Sequence, residues 1–191
     1  MSNRQPLLHP RASLLSLAAM ALLTACGGGG GGSSDGASSS NSSTAAATDT
    51  VLSGVAATGS PLGGARISVV DAKGKALGTA TTGFTDGRYS INLGTKLPTG
   101  PLMVQVTGVD AAGNPQVLHS AVPTVASAMV ANITPLTDAS VALALGGDPR
   151  PVFANASSSA GALASLAQAK VAAEFLKTLI KSQLTDVKLT N

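Results

Sequence analysis

From Val51 to about Ile133, apolar and polar residues alternate in short stretches, a pattern that predicts strands with one buried face. In Arg66-Ile67-Ser68-Val69, Ile67 and Val69 fall on one side and Arg66 and Ser68 on the other. Tyr89, Ile91 and Leu93 oppose Ser90 and Asn92, and Leu102, Val104 and Val106 oppose Met103, Gln105 and Thr107. Weaker alternation over 51–56, 77–82, 117–122 and 129–133 brings the expectation to about seven strands. Turn chemistry recurs every eight to twelve residues, the spacing of an all-β sandwich. Asp71-Ala72-Lys73-Gly74 and Thr85-Asp86-Gly87-Arg88 each place a glycine where a hairpin takes positive φ, whereas Asp110 to Pro115 reads as a longer, looser connection.

After Ile133 the period changes to that of a helix. Thr134-Pro135 has the form of an N-cap followed by proline at the first helical position, and the apolar run Val141 to Leu145 stops at Gly146-Gly147. Asp148-Pro149-Arg150-Pro151 reads as a rigid break. A second helix is expected from about 157–159 to beyond Leu184. Ala162, Leu166, Ala169, Ala173, Leu176, Ile180, Leu184 and Val187 recur at steps of three and four, with Lys170, Glu174, Lys177, Lys181 and Lys188 opposite. Its apolar face fits packing on the sandwich or the preceding helix, a partner protein, or a membrane surface. The fold class is therefore mainly β, a small antiparallel sandwich over 50–133 followed by a helical segment of about two helices over 134–191.

The N-terminus carries a different signal. An apolar run from Leu14 to Leu23 follows Arg4 and Arg11 and ends in Leu23-Thr24-Ala25-Cys26, which contains the only cysteine of the chain. That is the layout of a secretory signal peptide, and the run of about ten residues is too short for a bilayer-spanning helix, which needs roughly 20. Leu23-Thr24-Ala25-Cys26 resembles the lipobox of bacterial lipoproteins. The resemblance implies cleavage between Ala25 and Cys26, lipidation of Cys26, and a signal peptide over 1–25. Two or three acyl chains make a durable anchor, and Gly27, in place of aspartate after the cysteine, favours the outer membrane. Residues 26–49 then form the lipidated cysteine and a Gly/Ser-rich linker, whose six consecutive glycines start at Gly27. Its root-mean-square span is about 25–30 Å. Gly27, Gly29 and Gly32 satisfy a dinucleotide-binding spacing only trivially, without the strand before and helix after that such a site needs.

Composition narrows the chemistry. Loss of Arg4 and Arg11 leaves ten basic and nine acidic side chains. The basic residues are scattered, and with no tryptophan and one tyrosine nothing offers nucleic acid a phosphate track or a stacking platform. With Cys26 acylated, the mature chain has no disulfide and rests on its apolar core. Aromatics are 2% of the sequence, so that core is built of small aliphatic side chains.

Within the β region, Val51-Leu52-Ser53-Gly54-Val55, Pro61-Leu62-Gly63-Gly64-Ala65-Arg66-Ile67 and Thr85-Asp86-Gly87-Arg88-Tyr89-Ser90-Ile91 resemble the carboxypeptidase regulatory-like domain. The resemblance covers roughly Val51 to Gly108 and implies a transthyretin-like sandwich of the broad immunoglobulin-like kind. Its residues are structural. Asp86 accordingly reads as a turn residue bonded to local backbone, with Tyr89 packed inward, rather than as a metal ligand.

No catalytic set emerges. His119, the only histidine after Cys26, lies on the side opposite Leu118 and Val122 and reads as a solvated or edge residue rather than a base. No nucleophile elbow occurs. Asp71, Asp86, Asp110, Asp138, Asp148, Glu174 and Asp186 are dispersed along the chain, so no metal site, catalytic residue or cofactor is expected. Of the four aromatics Phe84, Tyr89, Phe153 and Phe175, at least Tyr89 and Phe175 are expected in the core, which leaves few stacking faces for carbohydrate.

The expected function is a lipid-anchored envelope protein, periplasmic or surface-facing, that displays its sandwich as a structural or protein-binding module without catalysis. Its expected partners are the membrane, through lipid on Cys26, and an envelope protein through the C-terminal helix. No nucleic acid or identifiable small molecule is among them. The alternative is an accessory domain or truncated fragment of a larger lipid-anchored hydrolase, because the helical pattern runs almost to Asn191 without a capping glycine.

Overall fold

The computed structural model describes residues 48–186. The expected signal segment, the expected cleavage site between Ala25 and Cys26, Cys26 and most of the expected linker lie outside the described residues, as do Val187 and Lys188.

The alternating pattern forms strands where it predicts them: β1 (Val51–Val55), β2 (Arg66–Val70), β3 (Ala76–Thr81), β4 (Arg88–Asn92), β5 (Leu102–Val109), β6 (Pro115–Val122) and β7 (Ala128–Val130). They make two sheets, ordered β4-β1-β7 and β3-β2-β5-β6. All pairings are antiparallel except β1 with β7, which run parallel. Leu52, Ile67, Val69, Tyr89, Ile91, Leu102, Val104, Val106, Met129 and Ile133 fill the space between the sheets. The faces read for β2, β4 and β5 are those that meet there.

A core built of small side chains requires close backbone approach. At Gly54 a Cβ would sit 2.1 Å from the carbonyl oxygen of Ala131, so only glycine lets β1 lie this close to the chain beyond β7. The same carbonyl accepts the buried Tyr89 hydroxyl, whose pKa burial pushes up.

Two turns share one construction. In Asp71-Ala72-Lys73-Gly74-Lys75 the Asp71 carboxylate accepts the amides of Lys73 and Lys75, each at 2.9 Å. In Asp110-Ala111-Ala112-Gly113-Asn114, Asp110 accepts those of Ala112 and Asn114, also at 2.9 Å. Glycine takes positive φ at the fourth position of both. Asp110 to Pro115 is therefore a tight turn and not the loose connection its sequence suggests, because one carboxylate closes it from within.

The outer face of the four-stranded sheet departs from the simple alternation. Met103, expected outward against solvent, is 0% exposed and belongs to a second apolar cluster with Val70, Val141, Ala156, Leu163 and Leu166. The helices produce this burial by covering that face. Helix α1 (Pro135–Leu145) has the expected Thr134 cap, reinforced by a reciprocal Thr137 bond, and ends at Gly146 in the left-handed region. The Asp148 to Pro151 stretch, expected as a rigid break, instead starts helix α2 (Pro149–Ala154), with Asp148 as N-cap and Pro149 in the first turn. The second predicted helix is present but divided. Helix α3 (Ala160–Ser165) passes through a 3-10 turn at Leu166–Gln168 into α4 (Ala169–Asp186).

Substituting Gly54→Ala should force β1 from its neighbour and lower the unfolding free energy by about 1–3 kcal/mol, the usual cost of overpacking. Urea denaturation of the variant checks this; an unchanged midpoint would mean that the close approach is not required.

Candidate functional site

The only histidine after Cys26 is 0% exposed, which corrects the expectation of a solvated or edge residue. His119 does lie on the face away from Leu118, but the helices roof that face. Its ring Nδ1 lies 2.8 Å from an Asp138 carboxylate oxygen in the first turn of α1. The same oxygen accepts the His119 backbone amide at 2.9 Å. Thr137 donates its hydroxyl to the His119 carbonyl at 3.0 Å, and the Gln105 amide lies 2.9 Å from Nε2. Phe153 closes the site with its ring centroid at 5.9 Å. With Nδ1–H donating to Asp138 and Nε2 accepting from Gln105, the neutral imidazole has no open valence for a substrate. Burial pushes its pKa below the ordinary 6.5, and Asp138 pulls the other way. The cluster is a structural joint between sheet and helix.

The other acidic residues are also absorbed by local structure. Asp86 accepts the Arg88 amide at 3.0 Å, and Tyr89 packs inward, as the turn reading expects. Asp148 holds Arg150 through its guanidinium. Among the described residues, no group of three or more His, Cys, Asp or Glu side chains is arranged to hold a metal ion.

The strongest candidate surface is on α4. Ala169 and Ala172 face the preceding elements and are buried, but from Glu174 to Gln183 no residue is buried. Val171, Phe175, Leu179 and Ile180 are exposed large apolar side chains. Phe175, expected in the core, is 55% exposed. An 18-residue helix outruns the 11-residue α1 on which its N-terminal half rests, so among the described residues no element covers its second half. Between the two helices, Leu143, Ala144, Val171, Ala172 and Phe175 line an open groove of about 360 Å³. Of the four exposed side chains only Ile180 lies on the apolar face read from the sequence; Val171, Phe175 and Leu179 fall beside it, and their i, i+4 spacing was the signal that could have found them.

Among the described residues no helix is long and apolar enough to cross a membrane. On the outer face of the three-stranded sheet, Ser53, Arg88, Ser90, Val130 and Asn132 border an open depression of about 600 Å³. It contains no nucleophile and base within reach of each other.

A family model described as a bacterial Ig domain matches residues 38–122. The sandwich is an immunoglobulin-like domain. Of the matched span, 48–122 lies within the described residues and runs from the chain entry to the end of β6. Strand β7 and the helices follow it. No curated protein matches the chain. Domains of this kind act as structural or protein-binding modules, and the site geometry of this immunoglobulin-like domain agrees with that role.

The buried imidazole makes stability depend on pH. Its folded pKa is lowered, so above the unfolded value of about 6.5 neither state binds the proton. Below it the unfolded chain takes up a proton that the folded chain refuses, and stability falls until the folded pKa is reached. Urea midpoints measured from above to below that pH should decline and then flatten, and His119→Gln should remove the decline. The carboxylates of Asp138 and Asp148 and the Arg150 guanidinium act on this ring. A His119→Gln chain that keeps the full decline would show that the decline does not come from this ring.

Proposed function

We propose that the chain is a lipid-anchored envelope protein that presents its immunoglobulin-like domain as a non-catalytic, protein-binding module and engages an envelope protein through α4. One observation carries this reading: Val171, Phe175, Leu179 and Ile180 face solvent along one helix. Singly exposed apolar residues are ordinary, but contiguous ones mark interaction sites. An amphipathic helix offers a partner anchors at i, i+4 and i+8. The groove beside Leu143 is the place for a partner's apolar side chain.

The anchor reading rests on Leu23-Thr24-Ala25-Cys26, and the linker gives the domain reach from the bilayer. Kinship with the carboxypeptidase regulatory-like domain is supported by the Asp86-Gly87-Arg88-Tyr89 corner, whose turn and inward tyrosine have the form that the family pattern requires.

Two measurements test the proposal. The intact mass of protein extracted from membranes should equal Cys26 through the C-terminus plus acyl groups; an unacylated mass that still includes the signal sequence would end the anchor reading. Photo-crosslinking in cells from position 179 should give a discrete adduct with one envelope protein, and Phe175→Glu should abolish it. Because Phe175 is exposed, that change should alter folding stability by no more than about 0.5 kcal/mol. Loss of the adduct together with unfolding would instead make Phe175 a structural residue.

A further inference from the structure

We propose that the end of the sandwich where the chain enters from Cys26 is a docking surface for an anionic phospholipid bilayer. Entry is fixed by backbone bonds. The Thr50 amide donates to the Gly94 carbonyl at 2.7 Å, and the Leu93 amide donates to the Thr50 carbonyl at 2.8 Å. The loop that follows Leu93 and the Asp71 turn meet through the Ala72 amide on the Thr99 carbonyl at 3.1 Å. Between them opens a cavity of about 320 Å³, lined by three lysines, Lys73, Lys75 and Lys96, by the single carboxylate of Asp71, and by aliphatic residues that include Leu97 and Pro98.

Three of the ten basic residues left after signal removal thus converge at the end through which the chain leads back to Cys26. None of the three belongs to an ion pair among the described residues. Two carboxylates lie close by. Asp71 is buried and occupied by the Lys73 and Lys75 amides, and Asp49 bonds the Asn92 side chain at 2.5 Å, outside the cavity lining. The outward charge of the cavity is therefore positive. The opposite end differs, because there Arg88 is paired with Asp86 at 3.6 Å. Leu97, 53% exposed among the lysines, supplies an apolar tip for the headgroup layer.

Charge complementarity selects the partner. Basic side chains are drawn to an anionic membrane within about 10 Å of its surface. Only 23 residues, 27–49, separate Cys26 from Thr50, so this end is the part of the domain nearest the anchor along the chain. Long lysine stems allow their ammonium groups to meet phosphates while Leu97 and Pro98 rest below them. Docking would hold the domain with its entry end on the bilayer and its opposite end pointing away.

The proposal rests on the lipid-anchor reading, and the test separates the two. The acylated full-length protein, labelled with a fluorophore at Thr95→Cys, exposed in the same loop but outside the cavity lining, while Cys26 is blocked by its lipid, is reconstituted into two kinds of vesicle. One is phosphatidylcholine alone, the other an equal mixture with phosphatidylglycerol, and both carry a nitroxide headgroup quencher. The label should be quenched on the mixed vesicles and largely unquenched on the neutral ones, and salt should reverse the effect. K73Q/K75Q/K96Q, at three exposed sites that leave the fold intact, should lower the ratio of docked to undocked domain by tenfold or more. Equal quenching on both vesicles, or quenching that survives the triple substitution, overturns the docking surface. Protein that floats with the vesicles while its label stays unquenched overturns docking alone; protein that does not float overturns anchor and docking together.

Discussion

A single carboxylate holds the two parts of the described fold together. Strand β6 is an edge of its sheet, and an edge strand leaves backbone groups without partners. At His119 those groups are met by the first turn of α1, where Asp138 takes both the amide and the ring while Thr137 covers the carbonyl. The Thr134 cap fixes where that turn begins, and the turn sets where α1 brings Val141 over Val70 and Met103. The imidazole is shut from solvent while the Asp138 side chain is 28% exposed, so this carboxylate links the buried strand edge to the rim of the helical layer. Removing it would expose a strand edge and unseat the helical cover at once.

Much of this was legible in the sequence, and the places where it was not have definite physical causes. Alternation identified all seven strands and the inner faces of β2, β4 and β5, since a half-buried strand writes its two environments at every second residue. It misassigned Met103 and His119 for a related reason. A face covered by helices is buried on both sides, and alternation alone cannot distinguish a solvated face from a roofed one that still carries polar residues such as Gln105. The Asp110 turn was misjudged by its length, although Asp71 had already shown the same Asp-Ala-x-Gly sequence closing a hairpin.

The candidate surface was half legible. Helical periodicity showed an apolar face on residues 162–187 but not how much of it the fold would use. The answer is set by α1, whose end at Gly146 leaves Phe175 and Ile180 beyond any partner in the described chain. Phe84, 84% exposed on the turn before β4, likewise carries no sequence mark that separates it from a core aromatic. Without aromatic bulk, the interior relies on intimate approach of β1 to its neighbours at Gly54.

The parallel pairing of β1 and β7 has a mechanical meaning. The chain enters β1 at one end of the sandwich and leaves the segment after β7 at the other, and the bonds between them run from Val51 to Ala57 along both. Tension applied across these two exits therefore slides the strands lengthwise past each other. Every hydrogen bond of the ladder is loaded together, whereas an antiparallel hairpin pulled from its open end loses them one at a time. A pull between the two ends of this seam therefore meets its hydrogen bonds in shear.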